Sequence, residues 1–241
     1  MSVKHVDIPS IGTVAMYKRK GNRSLRLSVG LNGEVRVSLP YWVPYRAAEE
    51  FVKAKSRWIH ENQYKHDIAP IAHGEHIGKS HRIYFSGEDG RKTISTKVYN
   101  TEIYVLHPIT VASTHETVQS KARQASIRAL KREAERLLPD RLNQLAAEHF
   151  FSYKNVTVKQ LKSRWGSCSS QKEITLNLFL MQLPWHLIDY VLLHELTHTK
   201  VMRHGPPFWH ELEEHLPNAK SLRAEINTYQ PILTPKPLTV A

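Results

Sequence analysis

The sequence predicts an α+β protein: a β-rich N-terminal part, then a helical part that holds a small sheet and a helix bearing H-E-x-x-H. Three observations point there. Residues 24–40 alternate apolar and polar side chains, the period of a half-buried strand. Residues 45–64 and 116–138 change to helical spacing. Residues 156–198 run as strand, polar turn, strand and then an apolar helix.

In chain order, SLRLSVG at 24–30 and EVRVSLP at 34–40 read as paired strands, with Leu31-Asn32-Gly33 as a hairpin turn. Pro40 and Pro44 end that pattern. From Tyr45 to Tyr64 a single helix is expected, with Ala47, Phe51, Ala54, Trp58 and Ile59 on one apolar stripe. Segments 73–86 and 96–108 look like further short strands. A long amphipathic helix follows from Glu116 to Leu138. Pro139 must kink it or open a new turn before Leu142, Leu145 and Ala146 continue its apolar face. Pro184 suits the first turn of the next helix, whose apolar residues are Leu187, Ile188, Val191 and Leu192. Gly205-Pro206-Pro207 then breaks the chain ahead of a short helix from Phe208 to His215.

Composition narrows the function classes. No apolar run approaches the roughly 18 residues that span a bilayer, so no membrane partner is expected. The first residues, MSVKHVDIPS, lack the apolar stretch of a secretory signal. The single cysteine, Cys168, excludes an intramolecular disulfide framework and fits a reducing compartment, so the expected location is cytoplasmic. The formal charge is +12, and residues 1–150 carry 24 Lys and Arg against 15 Asp and Glu. Such a field suits a nucleic acid or an anionic substrate, or serves solubility alone. Lys121, Arg123, Arg128, Lys131, Arg132, Arg136 and Arg141 crowd the long helix, but no aromatics interleave them, so a solvated face explains them better than a nucleic-acid track.

His194-Glu195-Leu196-Thr197-His198 carries the chemistry. Residues i and i+4 share a helical face, so both imidazoles can reach one metal ion. Glu195 is turned about 100° from His194 and flanks the metal, placed to take a proton from an attacking water. Zinc with three protein ligands and an open position is the expected cofactor. The third ligand is open on spacing alone. His204 gives H-E-x-x-H-x-x-x-x-x-H, the metzincin spacing, although Val201 stands where those proteins have glycine. Glu211, Glu214 and His210 are its rivals. HELEEH at 210–215 imitates the motif, but its histidines are five apart. His73, His76 and His81 read as a polar loop rather than a second metal site.

RWGSCSS at 164–170, ITLNLFLMQLP at 174–184, IDYVLLHELTH at 188–198 and RHGPPFW at 203–209 resemble the YgjP-like metal-dependent hydrolases, bacterial zincins related to SprT-like and WLM metalloproteases. The likeness extends upstream through SLRLSVGLNGEVRVSLP, EEFVKAKSRWIHE and the glycine- and histidine-bearing stretch HGEHIGKSHRIYFS at 73–86, covering nearly the whole chain. The resemblance implies a zincin-like domain over 113–230, after a β-rich region at 1–112 and before a loosely held tail at 231–241. It also implies that His204 is a metal ligand and that Phe208 and Trp209 are core residues beneath the site. The strand ending in Arg164-Trp165-Gly166-Ser167-Cys168 would border the cleft, making Arg164 and Trp165 substrate-binding candidates, with a hairpin salt bridge as the plainer role for Arg164. Cys168 is expected to be a small residue in a tight turn.

The leading expectation is a zinc-dependent peptidase with Glu195 as general base. A metal-dependent nucleotide phosphoanhydride hydrolase is the rival enzyme, and a nucleic-acid-associated binding module with structural zinc is the alternative outside enzymes.

Overall fold

The computed structural model describes residues 3–30, 34–64 and 69–233, and divides the chain into two compact units, Met1–Ala69 and Pro70–Ala241. Each unit has its own apolar core. The mixed α+β class expected from sequence is what is found. The border between the units falls at residue 69, whereas the sequence reading drew a regional border at 112. The strands between those two positions pack on the core of the second unit, through Ile83, Phe85, Ile103 and Val105.

The first unit is a four-stranded sheet in the order β1-β2-β4-β3, made of β1 (Val3–Ile8), β2 (Gly12–Arg19), β3 (Arg26–Val29) and β4 (Val35–Pro40). The central pair, β2 and β4, is parallel, and both outer pairs are antiparallel. The expected pairing of β3 with β4 is present, although the turn at residues 31–33 lies outside the described residues. Val35, Val37 and Leu39 alternate inward, as the period of two requires.

The helix expected at 45–64 is instead two helices, α1 (Tyr45–Ala54) and α2 (Ser56–Tyr64). The buried stripe is Ala48, Val52 and Ile59, whereas Ala47, Ala54 and Trp58 are exposed. On a 3.6-residue repeat the position between Val52 and Ile59 falls on Lys55 or Ser56. Neither can be buried cheaply, and the helix breaks there.

The second unit is organised around α3 (Glu116–Glu148), a helix of 33 residues. It runs through Pro139 without ending. The flanking Leu138 and Leu142 are both fully buried, so tertiary packing overrides the missing N–H. One small sheet has the order β5-β7-β6, from β5 (Arg82–Glu88), β6 (Ser95–Tyr99) and β7 (Glu102–Pro108). The other has the order β8-β10-β9, from β8 (Asn155–Lys159), β9 (Gly166–Cys168) and β10 (Glu173–Asn177). A 3-10 turn at Leu178–Gln182 leads to α4 (Trp185–Thr197), followed by α5 (Pro206–His215) and α6 (Ala219–Ile226). Pro184 caps α4 from just outside its first turn. Among the described residues no helix is long and apolar enough to cross a membrane.

Most of the basic side chains on α3 are engaged within the unit. Arg123 pairs with Glu116, Lys131 with Glu135 and Arg141 with Asp189, while Arg128 and Arg132 bond Thr96 Oγ1 and Val98 O. The same helix buries Glu133. Its carboxylate accepts from the backbone N–H of Lys79 (2.8 Å), Ser80 (2.9 Å) and His81 (3.0 Å), and from Ser80 Oγ and His81 Nδ1. Gly78 must be glycine for this to work, because a Cβ there would lie 2.3 Å from Glu133 Oε2. The loop from Gly78 to His81 is therefore wrapped round a carboxylate. His81 serves it as a donor, and His73 Nδ1 accepts from Phe85 N–H.

Burial alone would raise the Glu133 pKa, but the bonds from His81, Lys79 and Ser80 outweigh burial and hold it below 4.5. A depressed folded pKa contributes stability that is present above 4.5 and is lost as pH falls through the folded value. Glu133→Ala is expected to cost on the order of 3 kcal/mol at neutral pH, because several buried donors lose their acceptor. It should also flatten the stability profile below pH 4.5. Urea denaturation from pH 7 to pH 3 checks both, and parallel wild-type and variant profiles would contradict the assignment.

Candidate active site

Helix α4 is apolar on nearly all sides, with Leu187, Ile188, Val191, Leu192, Leu193 and Leu196 buried, so it must run through the core. Arg141 of α3 grips Asp189 in its second turn with two bonds of 2.8 and 2.7 Å. Its last turn presents His194 and His198 on one face. Thr197 Oγ1 donates to Leu193 O (2.8 Å), Thr199 Oγ1 to Leu196 O (2.7 Å), and Val201 N–H to Thr197 O (2.9 Å). This turn reverses the chain with no left-handed residue between 199 and 205, which is why Val201 is tolerated where metzincins use glycine.

The turn brings His204 back over the helix. His204 Nε2 lies 3.0 Å from His194 Nε2 and 3.1 Å from His198 Nε2. His198 Nδ1 lies 3.1 Å from Val201 O; a carbonyl can only accept, so Nδ1 carries the proton and Nε2 presents a lone pair. Burial, reinforced by His198, His204 and Arg223, lowers the His194 pKa to about 3, and burial lowers that of His198, which keeps both rings neutral. Neutral lone pairs this close repel one another unless a cation lies among them. Tetrahedral zinc with Zn–N bonds of 2.0–2.1 Å sets its nitrogen ligands about 3.3 Å apart, so the three rings fit a divalent ion. The ring of Phe208, fully buried, is within 4.6–4.8 Å of all three imidazoles and forms the apolar floor.

Glu195 lies beside this cluster. It is 5% exposed, and its Oε2 has no hydrogen-bond partner among the described residues. Burial pushes its carboxyl up to about 8 against the pull of the Arg164 charge. Strand β9 lies against it so closely that a Cβ on Gly166 would stand 2.6 Å from Glu195 Oε1 and 2.8 Å from Cγ. The glycine of R-W-G-S-C is thus what admits the glutamate.

A cleft of about 520 Å³ opens over these groups. Arg164 and Trp165 line it, together with Gly166, Ser167, Cys168, Tyr190 and Arg223. The loop carrying Arg164 and Trp165 is held by the fully buried Asn177. Its Nδ2 donates to Leu161 O (2.9 Å) and Arg164 O (2.8 Å), and its backbone N–H donates to Trp165 O (2.9 Å). Arg164 makes no hairpin salt bridge among the described residues. Cys168 lies in β9, paired with Ile174, rather than in a tight turn. Burial and the Glu195 charge push its thiol up to about 11, so it is a protonated wall residue.

The rival ligands lie elsewhere. Glu211 bonds Lys200 and His215, and exposed His210 pairs with Glu214. Glu211, Glu214 and His215 do converge, but as a set of ion pairs. Phe208 is the buried residue expected beneath the site, while Trp209 is only partly buried. Sequence reading passed over α6, Arg223, Tyr190 and Asn177. Only Ala219, Leu222 and Ile226, spaced for one helical face, could have revealed α6.

Among the solved structures similar to this chain are two metallopeptidase zymogens. Abylysin of Pyrococcus abyssi is 28% identical, over 38% of this chain and 93% of that one, with a TM-score of 0.36. Jannalysin of Methanocaldococcus jannaschii is 25% identical, over 37% and 93%, with a TM-score of 0.34. The search of curated proteins gives no match. The family described as YgjP-like, metallopeptidase domain, matches residues 23–229, a span that takes in the β9 strand, the three histidines and Glu195. The chain belongs to the YgjP-like metallopeptidase family and is a metal-dependent hydrolase.

Proposed function

We propose that the chain is a zinc metallopeptidase, with His194, His198 and His204 as the metal ligands and Glu195 as general base. When bound, zinc supplies a Lewis acid that brings the pKa of water to about 7 and polarises a carbonyl. Glu195 takes the proton of the attacking water on its carboxylate and delivers it to the nitrogen of the departing amine. Its Oε2 has no hydrogen-bond partner among the described residues, which leaves it available to accept and then release that proton. Phe208 keeps bulk water from the far side of the histidines. The single cysteine supports a reducing, cytoplasmic setting.

One observation carries the choice of peptide: β9 is the terminal strand of its sheet, and it lines the cleft beside Glu195 and the histidines. An extended polypeptide can add to such a strand through main-chain bonds, with Arg164 and Trp165 at one end of the track. The nucleotide alternative needs cations converging at the metal. Arg164 and Arg223 line the cleft, Lys200 is paired with Glu211 and Arg203 does not line it, so the preference for peptide rests on the edge strand rather than on charge.

Unstructured polypeptides and nucleoside triphosphates, assayed in parallel with wild type and Glu195→Gln, test the reading. Glu195-dependent peptide cleavage is expected. Glu195-dependent release of phosphate or pyrophosphate without proteolysis would replace peptide by nucleotide as the substrate.

A further inference from the structure

The cleft contains a second arginine that the sequence did not point to. Arg223 stands on α6 with its Cζ 4.6 Å from the centre of the Trp209 ring, and it lines the cleft with Arg164, His194 and Glu195. Arg91, Arg123 and Arg141 of the same unit are each paired with a carboxylate. Among the described residues Arg164 and Arg223 have no such partner, and the only carboxylate lining the cleft is the buried Glu195. The stack does not explain why the residue is arginine, since α6 is already anchored by the buried Ala219, Leu222 and Ile226 and by the 2.8 Å bond from His186 to Glu225. The contact keeps the guanidinium over the indole beside the cleft, and its N–H donors, without a carboxylate partner among the described residues, suit a carboxylate. Val191, Met202 and Ile226 complete the wall.

We propose that Arg223, together with Arg164, forms an anion subsite, and that the preferred peptide carries a carboxylate within a residue or two of the bond that is cut. The proposal rests on the peptidase reading above. The carboxylate comes either from an Asp or Glu side chain or from the free C-terminus of the substrate. Recognition is the same in both cases, but the consequence differs: an acidic-sequence preference in the first, removal of C-terminal residues in the second.

Four versions of one peptide separate these sources: internal Glu or Gln, each with a free or amidated C-terminus. Cleavage by zinc-loaded wild type gives kcat/KM, and calorimetric titration of zinc-loaded Glu195→Gln gives affinity without turnover. A carboxylate gripped by a stacked guanidinium should favour the charged form by about 10- to 100-fold, the range of hydrogen bonds to charged groups. Whichever substitution removes the preference identifies its source. Arg223→Met retains a long side chain over Trp209 without the charge, and should bring the ratio of charged to neutral peptide to within about twofold. Arg223→Glu should turn the preference toward a lysine-bearing peptide. Peptides cleaved by wild type with no charge preference would overturn the subsite and leave the peptidase reading standing. A preference that survives in Arg223→Met would overturn the place given to Arg223. Peptides neither bound nor cleaved would overturn both readings.

Discussion

Glu195→Gln is expected to keep its metal and lose about 10²–10⁴ in turnover, the usual weight of general acid–base catalysis. The amide matches the carboxylate in shape, so the close fit against Gly166 survives, but it cannot accept a proton. The loss should fall on kcat and leave KM nearly unchanged, because the group acts on the reacting water rather than on the peptide's remote parts. Gly166→Ala should resemble it from the other side of the contact. A methyl group 2.6 Å from Oε1 must push the carboxylate away while the histidines, held by α4 and the following turn, keep the ion. Metal content by elemental analysis beside steady-state kinetics on both variants checks this pair. Wild-type turnover in Glu195→Gln would remove Glu195 from the chemistry.

His194→Ala and His198→Ala are expected to lose the metal and all measurable activity, and His204→Ala to weaken metal binding far more than Glu211→Ala, Glu214→Ala or His210→Ala. The distinction follows from placement. Three Nε2 atoms converge on one point, while Glu211 and Glu214 are already paired with Lys200, His215 and His210. Stability follows metal content: an ion present at 100 times its Kd contributes about 2.7 kcal/mol to the folded state. A chelator should therefore lower the melting temperature of wild type and of Glu211→Ala, and leave His194→Ala unmoved. An equal chelator effect on His194→Ala would mean that these rings do not hold the ion.

Legibility in the sequence followed the range of the interaction. H-E-x-x-H is local, because i and i+4 meet on any helix, so His194 and His198 could be paired before any fold was known. His204 needed both the spacing and the family resemblance, since its approach depends on a turn whose chemistry is spread over Thr197, Thr199 and Val201. The pairing of β3 with β4 was visible in alternation alone. The apolar stripe of α1 and α2 was misread by one residue, because Ala47 and Ala54 are as apolar as Ala48, and only the break at Lys55 selects the buried set. The length of α3 was underestimated because Pro139 is a local signal overruled by packing on both sides of it. The least legible residues act across long separations. Glu133 binds a loop more than 50 positions away, Asn177 fixes the loop that carries Arg164, and Arg223 reaches the cleft from a helix too short to announce itself.

X-ray absorption of the zinc-loaded protein tests the central claim, an open catalytic site made by three histidines, most directly. Three imidazole nitrogens at about 2.0–2.1 Å and one exchangeable oxygen are expected, the pattern of a catalytic site. The imidazole signature should fall by one ring in His204→Ala. A sulfur at about 2.3 Å, which would bring in Cys168, or a fourth protein ligand closing the site, would mark structural zinc and contradict the account.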